Sequence, residues 1–159
     1  MKSAHFIIGC ETVADLKEDM LNVVPPGPKK YSKSGLHDSE KADYLKKLIE
    51  FMEDQKLYLN PQLTLKDLAK RLCASVNHIS QVINEQIGQN FFDFVNSYRV
   101  EAFKRELCNP QKRHLTIFGI ATECGFNSKA TFNTAFKKHT GITPSAHRKQ
   151  EMHQSNDIS

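Results

Sequence analysis

Residues 63–141 contain the same pattern twice. Leu63-Thr64-Leu65 is matched by Leu115-Thr116-Ile117 at an offset of 52, and Leu68-Ala69 by Ile120-Ala121 at the same offset. One extra residue then enters the second turn. At an offset of 53, Ser75 matches Ser128, Ile79 matches Phe132, Ile83 matches Phe136 and Gly88 matches Gly141. Any short helical hairpin can produce one such pattern. Two in register, joined by a single long helical stretch, describe a duplicated helix–turn–helix unit.

Local signals support helices throughout this region. Thr64-Leu65-Lys66-Asp67 has the form of a capping box. Leu65, Leu68, Ala69 and Leu72 form an apolar stripe, and Ser75 restarts a helix that Gly88 ends. Phe91 to Leu107 reads as one long helix with Phe91, Val95, Tyr98 and Ala102 on a face, and Asn109-Pro110 breaks it. Ile117, Ile120, Ala121 and Cys124 form the next stripe. Gly125-Phe126-Asn127 is a tight turn, Ser128 caps the following helix, and Gly141 ends it. Pro144 opens a last short helix.

Upstream, Leu45, Leu48, Ile49 and Met52 give a helical face that Ser39 would cap and Asn60-Pro61 would stop. Pro25-Pro26-Gly27-Pro28 and the polar residues to Ser39 read as a linker, preceded by a short helix around Ala14 to Val24. No segment alternates cleanly over four residues. The expected fold is all-α, with two tandem helix–turn–helix subdomains of homeodomain-like form joined by a long linker helix. The first spans about 63–88, the linker helix about 91–107 and the second about 115–141. These belong to a domain at 41–150, between an N-terminal segment at 1–40 and a polar tail at 151–159.

Charge is distributed in keeping with that division. Residues 63–150 hold 13 Lys and Arg against 6 Asp and Glu, a net of +7, while residues 1–62 carry −1 and residues 151–159 carry −2. A basic segment suits a polyanion, although a solvated lysine-rich surface gives the same pattern. Cys10, Cys73, Cys108 and Cys124 have no paired short spacing, so they read as reduced thiols, with Cys73 and Cys124 as core filler. Phe6-Ile7-Ile8 is too short for the apolar part of a signal peptide, and no stretch approaches the roughly 20 residues of a membrane helix.

In a helix–turn–helix the second helix enters the major groove and the first braces it across the backbone. Two copies on one face of DNA sit roughly 34 Å apart. A joining helix of about 17 residues spans roughly 25 Å, and the width of the flanking units can supply the remainder. One chain can then place two reading helices in successive grooves. The first helix offers Asn77, His78, Ser80, Gln81 and Asn84, and the second Asn127, Ser128, Lys129, Thr131, Asn133 and Thr134. Asn and Gln can contact adenine in a bidentate way, Lys reaches guanine acceptors, and a Thr methyl can touch thymine. Lys137, Lys138, Arg99, Arg105, Lys112 and Arg113 are phosphate candidates.

Residues 117–148 resemble the signature region of the AraC/XylS family of bacterial transcription regulators. The resemblance rests on Ile120-Ala121, Cys124-Gly125-Phe126-Asn127-Ser128, Thr131-Phe132-Asn133, Phe136-Lys137-Lys138, Gly141-Ile142-Thr143-Pro144 and Arg148, and extends over about residues 45–150. It implies a seven-helix domain that binds double-stranded promoter DNA and contacts RNA polymerase, most often as an activator in the bacterial cytoplasm. It places base-reading positions on Asn77, Ser80 and Gln81 in the first unit, and on Lys129, Ala130, Thr131, Asn133 and Thr134 in the second. Ser75, His78, Asn84, Arg99, Asn127, Ser128, Lys137 and Lys138 are expected at the DNA backbone. Ala130 and Thr134 are short where many members carry longer side chains, and Asn77 replaces a large residue found in some.

Members usually carry a separate sensor or dimerisation domain, and the residues before the repeat are too few for the usual sugar-binding β-barrel. The stretch from Lys30 to Leu36 is similar to regulators whose DNA-binding domain follows a membrane-spanning sensor. Any membrane contact would then run through such a sensor. Two alternatives to a free-standing regulator stay open: the soluble output domain of a membrane-bound sensor regulator, and a helical protein-interaction module without DNA specificity. HExxH, GxSxG, phosphate-loop and paired-cysteine motifs are absent from the sequence, so neither an enzyme nor a cofactor, metal or small-molecule site is expected.

Overall fold

The structure is a computed structural model that describes residues 36–156, with side chains described as far as Met152. The expected helix around Ala14 to Val24 and the Pro-rich linker lie outside the described residues. Seven α-helices follow: α1 (Asp38–Glu53), α2 (Leu65–Arg71), α3 (Val76–Val82), α4 (Phe91–Leu107), α5 (Ile117–Glu123), α6 (Lys129–Thr140) and α7 (Pro144–Asn156). No strand occurs among the described residues. Helices α2 and α3 form the first helix–turn–helix, α5 and α6 the second, and α4 joins them.

The two units are closed by the same local chemistry. Thr64 Oγ1 accepts from the Asp67 N–H at 3.2 Å while the Asp67 carboxylate accepts from the Thr64 N–H at 2.9 Å, a reciprocal capping box. In the second unit Thr116 Oγ1 accepts from the Gly119 N–H at 2.9 Å, without the return bond. Ser75 and Ser128 cap α3 and α6 through the N–H groups of His78 and Thr131. Each turn between helices is held by a backbone bond back into the first helix, Ala74 N–H to the Ala69 carbonyl and Phe126 N–H to the Ala121 carbonyl. The turn needs a left-handed residue, and Cys73 (φ 51°) occupies the place that Gly125 (φ 95°) fills in the second copy. Cys73 is therefore an exposed turn residue rather than core filler, whereas Cys124 is buried as expected. Burial pushes the Cys124 thiol up to about 12, which keeps it protonated and inert.

The copies differ at one end. The expected single helix from Ser75 to Gly88 is α-helical only to Val82, and its last stretch, Ile83–Ile87, is a π-helical turn. Both units still finish on a left-handed glycine, Gly88 at φ 74° and Gly141 at φ 78°.

Helix α1 covers the first unit through Leu45, Leu48, Ile49 and Met52, as its periodicity predicts. Its cap differs from expectation. Ser39 lies inside the first turn, and the Glu40 carboxylate instead accepts from the His37 N–H at 2.9 Å. The helix ends at Glu53, well before Asn60-Pro61, because the chain folds into a 3-10 turn at Leu57–Leu59. That turn buries Tyr58, which stacks on Tyr98 of α4 with ring centroids 5.8 Å apart.

Helix α4 is the shared spine. Besides the expected Val95, Tyr98 and Ala102 it buries Phe94, Asn96, Ser97, Val100 and Phe103, while Phe91 is only half-buried. A helix sandwiched between two units is apolar on more than one face. Phe103 meets Phe132 and Phe136 of α6 at 4.8 and 5.4 Å, and Phe126 joins this cluster through Phe132 at 5.1 Å. The last helix is not short. Helix α7 runs beyond residue 150, with Glu151 half-buried beside His147 at 3.8 Å.

Candidate nucleic-acid interface

The exposed face of α6 carries the second set of expected reading residues together. Lys129, Ala130, Thr131, Asn133, Thr134 and Lys137 are all exposed, while Phe132, Ala135 and Phe136 on the opposite face are buried. The Ser128 cap fixes where the helix begins and hence which of its residues face outward. Asn127, immediately before it, is also exposed, and Ser128 is half-buried by its capping role.

Two residues absent from the sequence-based set join this surface. Thr143 and Ser145, at the start of α7, line an open groove with Asn133, Thr134, Lys137 and Pro144. The Gly141 turn folds α7 back beside α6. No periodicity signals that approach, because it depends on the turn's left-handed residue and on burial of Pro144.

On α3 the expected set divides. Asn77 is exposed and Ser80 and His78 are half-buried, with Asn84 exposed in the π turn that follows. Ser75 is exposed, but its hydroxyl caps the helix. Gln81 is a correction. Its side chain is buried, 2% exposed, and its amide Nε2 donates to Glu85 Oε1 at 3.0 Å. Glu85 in turn pairs with Lys41 of α1 at 3.1 Å. Packing of α1 across the end of α3 encloses this chain of groups. Thr134 holds the equivalent place in α6 and is exposed. The hydrogen bond to Glu85 lifts the Lys41 ammonium above its ordinary range.

Arg99 is the second correction. Its guanidinium is engaged by the protein rather than presented to phosphate. Nε donates to the Tyr58 carbonyl at 2.8 Å, Nη2 to the Asn60 carbonyl at 2.9 Å and Nη1 to Asn96 Oδ1 at 3.3 Å. The guanidinium carbon lies 5.8 Å from the centre of the Phe126 ring. Burial lowers its pKa to about 10, which leaves it charged at neutral pH.

Among the remaining cations, Lys112 bridges Glu106 and Glu123, and these carboxylates raise its pKa. It is a structural tie between α4 and α5. Arg105 lies 3.4 Å from the Tyr58 hydroxyl, while Arg113 is exposed. Lys137 and Lys138 remain at the surface, Lys138 beside Asp93 of α4 at 2.7 Å.

A family model described as a helix-turn-helix domain matches residues 68–150, just over half of the chain. The solved C-terminal domain of AraT, a response regulator from Geobacillus stearothermophilus, is 27% identical with a TM-score of 0.57, and the match covers 74% of this chain and 88% of that one. The chain belongs to the AraC-type helix-turn-helix family. The all-α tandem fold is that of AraC-type domains. The C-terminal domain of the two-component response regulator yesN from Fusobacterium nucleatum is 31% identical with a TM-score of 0.55, covering 65% of this chain and 97% of its own. An AraC-type domain from Chromobacterium violaceum shares the fold at 20% identity and a TM-score of 0.58, covering 72% of this chain and 96% of its own.

Among curated relatives, an HTH-type transcriptional regulator of Mycobacterium tuberculosis is 32% identical over 83 residues, 52% of this chain and 31% of the relative. An uncharacterized HTH-type transcriptional regulator of Staphylococcus aureus is 31% identical over 106 residues, 67% of this chain and 13% of the relative. This AraC-type chain thus spans a third or less of the curated relatives it matches. No helix among the described residues is long and apolar enough to cross a membrane.

Proposed function

We propose that this chain binds promoter DNA sequence-specifically and regulates transcription, with α3 and α6 as its two reading helices in successive major grooves. The observation that carries this reading is the exposed polar face of α6, capped by Ser128 and ending in Lys137 and Lys138. Lys129, Thr131, Asn133 and Thr134 are the base-reading residues of the second box, with Ala130 supplying apolar contact. Asn77 and Ser80 read the first. Ser75, His78, Asn84, Asn127, Ser128, Lys137 and Lys138 face the DNA backbone.

Selection of bound sites from a random duplex pool at about 150 mM salt tests this reading, since phosphate contacts alone weaken steeply with salt. The expected result is two short boxes about one helical turn apart without palindromic symmetry. A pool without enrichment, or a palindrome reporting one unit per subunit of a dimer, overturns it. Lys129→Ala is expected to relax base choice in one box only, at a cost of about 1–3 kcal/mol.

An activating role with RNA polymerase contact follows from the family resemblance, and run-off transcription from a promoter carrying the selected site tests it. Both response-regulator neighbours are C-terminal domains, which favours an output module under the control of another domain. A membrane-spanning sensor as that domain rests on the resemblance at Lys30 to Leu36. A reading frame that holds no such sensor in the intact gene would remove it.

A further inference from the structure

The two reading units touch where Arg99 sits. The guanidinium holds the carbonyls of Tyr58 and Asn60, which belong to the connection between α1 and α2 on the first unit's side. The same group lies over Phe126 in the turn of the second unit. Beside it, a Cβ on Gly125 would run into the Tyr58 carbonyl oxygen and stand 3.0 Å from Arg99 Nε. The backbones of the two units therefore meet directly at Tyr58 and Gly125, closer than any side chain allows.

We propose that Arg99 is a positioning residue that sets the spacing between the two DNA boxes this chain reads. The inference rests on the tandem reading proposed above. Helix α4 packs on both units, through Tyr98 on Tyr58 and Phe103 on Phe132 and Phe136. A tilt of one unit against the other moves a reading helix along the DNA, and a direct contact between the units opposes that tilt beyond what the spine supplies. One base pair corresponds to about 3.4 Å, so a small change of angle selects a different spacer. Two hydrogen bonds from Arg99 to the connection between α1 and α2, its guanidinium over Phe126 and the Tyr58–Gly125 backbone approach join the two units directly. Packed interfaces have discrete arrangements rather than continuous compliance, so the clasp specifies one spacer and not a range. Lysine cannot replace the fork, because a single ammonium lacks the planar, fixed set of donors that holds both carbonyls beside the ring.

The test uses the whole chain and the site it selects. Wild-type protein is titrated onto duplexes in which the two boxes are moved by one or two base pairs either way. Steep loss, about tenfold or more per base pair, is expected, and flat tolerance overturns the proposal without any variant. Arg99→Lys and Arg99→Gln are then taken through site selection, with circular dichroism confirming that each is folded. The expected result is enrichment of several spacer lengths while base choice inside each box is unchanged. A folded Arg99→Gln that keeps the single wild-type spacer overturns the proposal. A wild-type pool without a split motif instead defeats the tandem reading itself, so the two failures are told apart.

Discussion

Gln81 of α3 and Glu85 of the π turn that follows form a hydrogen bond of 3.0 Å, and α1 covers them through the Lys41–Glu85 ion pair. A side chain of the type that pairs with adenine is thereby turned inward. Asn77, one turn earlier on the same face, is exposed. Asn77→Ala is expected to relax base choice in the first box, with a loss of about 1–3 kcal/mol on the favoured site. Gln81→Ala is expected to leave base choice within about twofold and to lower the melting temperature. Competitive binding against single-base variants of the selected site measures both. A Gln81→Ala protein that loses discrimination at one base pair would show that DNA draws this side chain out.

Lys137 and Lys138 are adjacent on α6, but only Lys138 faces a carboxylate. Lys137→Ala is expected to reduce the slope of log affinity against log salt by about 0.9, the value for one phosphate contact on duplex DNA. Lys138→Ala is expected to reduce it less, because Asp93 already offsets part of that charge. Asp93→Asn is expected to strengthen binding to all sequences alike. Salt titrations by fluorescence anisotropy provide the check, and equal slopes for the two lysine variants would refute the distinction.

Gly125 and Gly141 both adopt positive φ, yet alanine is expected to act differently at each. At Gly141 nothing lies within 4 Å of an added Cβ, so only backbone strain of about 1–2 kcal/mol applies. At Gly125 the added carbon also collides with the Tyr58 carbonyl, which belongs to backbone that cannot easily shift. Gly125→Ala is expected to lower thermal stability clearly more than Gly141→Ala. Thermal melts of the two variants decide this, and similar melting temperatures would contradict the close approach.

His147 lies against the Phe136 ring, with centroids 5.4 Å apart, and near Glu151. Burial pushes its pKa down, and the Glu151 carboxylate offsets only part of that, with Lys104 and Glu101 as weaker opposing influences. The folded pKa therefore lies below the unfolded value near 6.5. The unfolded chain takes up the proton first, so stability is full above about pH 6.5 and falls as pH drops below it. His147→Gln is expected to flatten part of that fall. Melting temperatures between pH 7.5 and 5 measure the effect, and an unchanged slope in the variant would exclude His147 as a contributor.

The duplication, the capping residues Thr64, Ser75 and Ser128, and the glycine stops at Gly88 and Gly141 were all legible in the sequence. The caps and stops depend on partners within three or four residues, where the chain's own geometry does the selecting. The exposed polar face of α6 was legible for the same reason, since helical period alone separates Lys129, Asn133 and Thr134 from Phe132 and Phe136. What Arg99, Gln81 and Cys73 do was decided only by tertiary structure. Arg99 finds its acceptors 39 and 41 residues away, and Gln81 is enclosed by a helix that begins more than forty residues earlier at Asp38. Residue type marks an arginine as a phosphate ligand and a glutamine as a base reader, but packing engages both within the protein. A buried polar group must satisfy its hydrogen bonds within the protein, and only the packing of distant segments determines which groups are buried.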